Sequence, residues 1–342
     1  MKITTKTVIN NWTEYTLSND HGMSISFLDY GGIITEMITP NQSNEPENIV
    51  LRYQNYKVYE DNPHFLGAII GRVGGRIENA NFKLGEKTYN LEPNEPPHHL
   101  HGGSTGFHNT IWKTSSFQHD HSVGVTLTYT SPDGERGYPG TVDVTVTYTL
   151  TNDNEFAIDY EAVSDKNTIL TLTNHTYFNL NGRLKENVGN HTVKMNSDQI
   201  LELDNELIPT GKQLDVSGTL FDFKNGRQLK DGFLTTNTQN KIAGGGYDHY
   251  FLLNQTNQPN IIVREPMSGR TMEISTDQPG VVMYTGNNLT TDLEFKERSG
   301  EKHLGVCFET QAHPASLQQE GLESITLKAN KCYNKRTTFS FN

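Results

Sequence analysis

VGVTLTYTSPDGERGYPGTVDVTVTYTLTNDNEFAIDYEA, residues 123–162, decides the fold. Val123, Val125, Leu127 and Tyr129 share one parity, with Gly124, Thr126 and Thr128 between them. After the turn-rich stretch from Ser131 to Gly140 the alternation resumes as Val142, Val144, Val146 and Tyr148. A polar break at residues 151–154 leads to Phe156, Ile158, Tyr160 and Ala162. Three period-two runs bounded by turn residues predict an antiparallel meander with one buried and one wet face. Threonine on the wet positions suits its preference for pleated backbone.

The same texture extends in both directions. Met23, Ile25 and Phe27 alternate with serines, and Val193 and Met195 with polar residues. Residues 249–253, 261–263 and 281–284 read as further strands. No long stretch has helical periodicity; the best helical segment is a short turn from Tyr53 to Glu60, where tyrosines recur three apart. No linker, low-complexity block or internal repeat divides the chain, so a single domain over residues 1–342 is expected, an all-β fold built as a large antiparallel β-sandwich.

Composition narrows the function. The formal charge of −12 argues against a nucleic-acid partner, which needs excess Lys and Arg. Two cysteines, Cys307 and Cys332, are too few for a disulfide framework and favour a reducing compartment. The N-terminal residues contain no apolar h-region, and no window approaches the roughly 18 apolar residues a membrane helix needs. A cytoplasmic protein without a membrane partner is the expectation.

Several short stretches carry candidate chemistry. PPHHLHGG, residues 96–103, holds three histidines, and imidazole is the commonest protein metal ligand. In an extended segment His99 and His101 share a face, opposite His98. No second ligand set accompanies them, so a His-rich surface loop competes with a metal site. In residues 169–178, Leu170, Leu172 and Phe178 point one way and Thr171, Thr173, His175 and Tyr177 the other, which places His175 on a polar face. In residues 305–311, Val306 and Phe308 form an apolar face while Cys307, Glu309 and Gln311 share the opposite one. Partial burial there would raise the carboxyl pKa of Glu309 and suit it to general base work; a salt-bridged structural acid is the alternative. Gly244, Gly245 and Gly246 precede Asp248, and backbone without side chains permits close approach of a ligand, or simply a turn. GRVGGR, residues 71–76, lacks the spacing of a nucleotide loop, so Arg72 and Arg76 are left to bind sugar hydroxyls or structural carboxylates.

Together these segments resemble the aldose 1-epimerase family, the galactose mutarotases. The resemblance rests on GRVGGRI (71–77), LHGG (100–103), SPDGERGYPG (131–140), TNHTYFNLNG (173–182), GYDH (246–249), DQPGVVMYTGN (277–287) and CFETQ (307–311). Each is weak alone; their order and spacing are specific. One departure is visible: many members carry Asn before the second arginine of the first motif, where this chain has Gly75. The resemblance implies a supersandwich fold, Glu309 as general base and His175 as general acid. It further implies that Arg76, His101 and Asp248 bind sugar hydroxyls, with Gln278 and Tyr284 lining the site, and that His98 and His99 have no assigned role. The Gly-Gly pair after His101 is expected to leave room for a sugar.

The implied reaction interconverts the α and β anomers of a free hexose such as galactose or glucose, by opening and closing the hemiacetal ring. It needs a base at O1 and an acid at the ring oxygen, and no cofactor or metal. A carboxylate such as Glu309 or Asp248 is expected to hold His175 protonated at neutral pH. The partner is then a small aldohexose, and the protein itself a monomer or homodimer. A hexose-6-phosphate epimerase would want a cationic cluster, for which only Arg72 and Arg76 are candidates. A sugar-binding module without catalysis and a cupin-like metalloenzyme are the remaining alternatives.

Overall fold

In the computed structural model, which describes residues 1–255 and 259–342, the chain is almost entirely strand. The meander forms as the alternation predicts. Strands Ser122–Ser131, Val142–Thr151 and Glu155–Ser164 pair antiparallel in unbroken register, with Val125 opposite Tyr148 and Tyr148 opposite Ile158. They belong to a nine-stranded sheet that Cys332–Phe341 continues beside Glu155–Ser164. The apolar parity of each strand enters the main core, while the threonines between them stay at the surface or half-buried.

Two further large antiparallel sheets and four two-stranded ones complete the architecture among the described residues. A five-stranded one begins with Lys2–Thr7 and ends with Pro46–Asn48. A six-stranded one runs Tyr177–Phe178, Val306–Thr310, Gly280–Tyr284, Asp248–Leu253, Ser197–Leu203 and Pro209–Asp215 in spatial order. Leu17, Ile25 and Phe27 from the first meet Val146 and Ile158 from the nine-stranded sheet in one core. Phe251, Met283, Val306 and Phe308 from the six-stranded sheet enter the same core. Period-two sequences bury one face only when another sheet covers it, and here each sheet is that cover for the others.

Helix is minor. The turn expected at residues 53–60 is a 3-10 segment at Tyr56–Glu60, with Lys57 N–H donating to the Asn55 side chain. Tyr53, before the segment, meets Tyr59 within it edge to face at 5.1 Å. The described residues contain one α-helix, Thr238–Ile242, and no helix long and apolar enough to cross a membrane.

Residues 169–178 depart from the expected continuous strand. They form the short pieces Thr168–Ile169, Thr173–Asn174 and Tyr177–Phe178, with a parallel bridge from Thr171 to Val73. Leu170, Leu172 and Phe178 do face the main core, yet Thr171, Thr173, His175 and Tyr177 are buried as well. The polar parity is therefore not a wet face: loops fold across it and enclose a second apolar cluster containing Tyr53, Tyr177, Tyr284 and Cys307.

Candidate active site

The register of the six-stranded sheet builds the floor of a pocket. Asp248 lies opposite Tyr284, and Tyr284 opposite Cys307; Val282 lies opposite Glu309. Residues opposite one another project to the same face of a sheet. Asp248, Tyr250, Val282, Tyr284 and Glu309 thus point together, away from the core that takes Phe251, Met283, Val306 and Phe308. His175 joins them because it stands two residues before Tyr177, which pairs with Cys307 at the edge of the sheet.

Loops supply the walls of a cavity of about 270 Å³. Gly75 and Arg76 enter from one side with Leu100 and His101, Phe65 and His64 from another, and Leu203 and Leu207 close the rim. His101 reaches the pocket through a left-handed backbone turn, φ 51°, that breaks the alternation of the histidine stretch. His99 and His101 accordingly do not share a face. His99 is fully buried elsewhere, with Nδ1 on the Glu92 carbonyl at 2.6 Å and Nε2 on the Tyr138 hydroxyl at 2.7 Å. His98 accepts the Asn79 amide on Nδ1 and places Nε2 3.6 Å from Glu206.

Glu309 and His175 face each other on the floor, with Oε1 3.5 Å from Nε2 and both side chains buried. Burial, reinforced by the neighbouring Asp248, pushes the Glu309 carboxyl well above the ordinary carboxylate range, against the pull of Arg76. Burial also pushes His175 down, to about 3. The expectation that a carboxylate keeps His175 protonated is corrected here. Desolvation is the largest influence on both groups, and it favours the neutral carboxyl and the neutral imidazole.

Arg76 projects its guanidinium into the pocket and is gripped by Glu95 through Nε at 2.6 Å and Nη2 at 2.9 Å. Burial opposes its charge, but Glu95, Asp248 and Glu309 outweigh that and raise its pKa. Asp248 is raised to about 6, by burial first and partly against Arg76. His101 is neutral, driven well down by burial and by His175 and Arg76. Its Nδ1 accepts the Gly75 amide at 3.1 Å, so the ring hydrogen is on Nε2.

That tautomer decides the metal question raised by the histidine stretch. His101, His175 and Glu309 do bring ligand atoms within 4.8 Å of one another, as a metal-binding triad would. A ligating imidazole must offer a lone pair, and the ring nitrogen of His101 outside the Gly75 bond bears a hydrogen. The donor set does not fit a metal ion.

Other candidates fall outside the pocket. Gln278 is fully buried and turns to the Leu172 carbonyl and the Tyr333 hydroxyl, so its expected place on the lining is corrected. Arg72 is 2% exposed and spends its guanidinium on Ser131 and the carbonyls of Pro132 and Pro139. The glycines make room for protein rather than sugar. A Cβ at Gly102 would stand 1.8 Å from the Gly71 carbonyl oxygen, and one at Gly246 2.1 Å from Asn287 Oδ1. Gly75 does line the pocket; its φ of +84° is left-handed, and its amide is committed to His101. Sequence reading missed Glu95, Tyr250, His313 and Phe65 as pocket residues. Tyr250 was legible in principle, since it shares parity with Asp248; the others come from loops with no periodicity to read.

Residues 13–340 match the Aldose 1-epimerase family. The chain belongs to that family. The epimerase is 37% identical to the galactose mutarotase of Mus musculus over 331 residues, which cover 96% of this chain and 93% of the mouse protein. It is 36% identical to the aldose 1-epimerase of Haemophilus influenzae over 338 residues, 95% of this chain and 94% of that one. Its fold superimposes on a galactose 1-epimerase structure from Lactobacillus acidophilus with a TM-score of 0.88 at 29% identity, covering 100% of this chain and 98% of the other. The epimerase interconverts the anomers of aldoses.

Proposed function

We propose that the substrate is a free hexose such as galactose or glucose, with Glu309 as the base at O1 and His175 as the acid at the ring oxygen. The observation that carries this reading is the 3.5 Å approach of Glu309 Oε1 to His175 Nε2 in a buried pocket. Such a pair holds one proton and passes it without calling on solvent. When a sugar enters, its O1 hydroxyl donates to Glu309 and favours the carboxylate, and the proton moves to His175. Glu309 then takes the O1 hydrogen as Nε2–H protonates the ring oxygen, and the C1–ring oxygen bond breaks to leave an open-chain aldehyde. Rotation about C1–C2 presents the other carbonyl face. The C5 hydroxyl attacks it, returns its proton to His175, and Glu309 returns the other to O1.

Burial suits both halves. An imidazolium in a dry pocket is a strong acid, and a carboxyl of raised pKa makes a correspondingly strong base once ionised. Arg76, Asp248 and the Nε2–H of His101 orient the sugar hydroxyls. The wall sets Arg76, already paired with Glu95, against Glu95, Asp248 and Glu309. That balance favours an uncharged sugar over a sugar phosphate.

Polarimetry of fresh α-D-galactose and α-D-glucose tests the assignment. His175→Asn should lower kcat by about 10²-fold or more. Wild-type turnover in that variant rejects His175 as the acid.

A further inference from the structure

The nitrogens of His175 face two side chains of one strand. Nε2 lies 3.5 Å from Glu309 Oε1, and Nδ1 lies 3.5 Å from Cys307 Sγ. Cys307 and Glu309 stand at positions i and i+2 of Val306–Thr310, so both project to the same face. Their spacing of about 6.6–6.8 Å along the strand is enough to bracket an imidazole ring. Cys307 is fully buried, and its strand register opposes it to both Tyr177 and Tyr284. The ring of His175 sits 5.1 Å from that of Tyr177 and 5.3 Å from that of His101, the latter edge to face.

From this geometry we infer that Cys307 is a positioning residue for the reaction: its sulfur accepts the Nδ1–H of His175 and leaves the Nε2 lone pair facing Glu309. A neutral imidazole carries one N–H. With that hydrogen on Nε2, the ring could not receive the proton of Glu309, and the acid would have no route to its charged form. With it on Nδ1, the Glu309 proton has an acceptor directly opposite. The carbonyl of His175 itself takes the Gly67 amide at 3.0 Å. His101 has the reverse arrangement, Nδ1 accepting from Gly75, so two adjacent imidazoles present opposite faces to the sugar: one donor and one proton carrier.

The choice of sulfur has a chemical consequence. A carboxylate at Nδ1 would stabilise the imidazolium and weaken it as an acid. Cys307 remains a thiol because burial, with Glu309 and Asp248 nearby, raises its pKa well above the usual value. A neutral, weak acceptor orients the ring without holding its proton.

Protein labelled with 15N-histidine reports the tautomer directly. The wild type and Cys307→Ser should show Nδ1 protonated and Nε2 bare in neutral His175. Cys307→Ala should shift the ring towards Nε2–H and lower kcat about tenfold, with KM within about twofold. An Nε2–H tautomer in the wild type overturns the inference. So does Cys307→Ala with unchanged tautomer and kcat, which would leave the thiol a packing group only. The inference rests on His175 as the acid, yet the two fail separately: wild-type turnover in His175→Asn rejects the acid without moving the tautomer signal.

Discussion

Glu95 holds Arg76 with both carboxylate oxygens, at 2.6 Å to Nε and 2.9 Å to Nη2. The bidentate grip fixes the plane of the guanidinium and leaves Nη1 for a ligand. Glu95→Gln should therefore raise KM for galactose about tenfold, the effect of losing about 1.4 kcal/mol of binding, with kcat little changed. Steady-state kinetics by polarimetry checks this; an unaltered KM would show that Arg76 needs no such support.

Asp248 gives the pocket a pH dependence of definite sign. Its carboxyl is raised from 3.8 to about 6, so it is a full hydrogen-bond acceptor only above that pH. KM should rise as pH falls through about 6, and Asp248→Asn should show a high KM without that inflection. Stability follows the same linkage. Because the folded pKa exceeds the unfolded one, the contribution of Asp248 is fully present below 3.8 and is lost as pH rises to about 6. Asp248→Asn should thus melt at a higher temperature than the wild type at pH 7; a lower melting temperature would contradict the burial penalty.

Arg72 is placed as a structural residue. Its guanidinium satisfies the carbonyls of Ser131, Pro132 and Pro139 and tethers the turn between two strands of the meander. Arg72→Ala strands those acceptors and should cost about 3–5 kcal/mol, measured by denaturant unfolding. The KM of the fraction that folds should stay at the wild-type value. A KM effect without a stability effect would return Arg72 to the list of sugar ligands.

Much of this was legible in the chain, for a physical reason that also marks the limit. Where one face is buried and the other wet, as at residues 123–162, period-two alternation reports the strand and its register directly. Around the site both faces are covered. The polarity of Thr171, Thr173 and His175 therefore signals enclosed hydrogen-bonding groups and not solvent, and the strand breaks into short pieces. Glu309 was legible because an acid inside an apolar strand is unusual, and Asp248 because a glycine run leads into it at the start of one. Glu95 was not, since it lies in a proline-rich loop and acquires meaning only from Arg76, its partner across the pocket wall. Gln278 misled for the opposite reason: it belongs to a site motif, yet its backbone position turns the amide towards Tyr333. The glycines of LHGG were read as space for a ligand, whereas the space at Gly102 is filled by the Gly71 carbonyl.

The central claim is that Glu309 is the base whose proton exchange with His175 drives anomer interconversion. The most direct measurement is the polarimetric rate on fresh α-D-galactose for the wild type and Glu309→Gln, each with and without EDTA. The account predicts wild-type mutarotation indifferent to chelator, and a fall in kcat of about 10²–10⁴-fold in Glu309→Gln despite an intact fold. Undiminished turnover in Glu309→Gln, or loss of wild-type activity with EDTA, would contradict it.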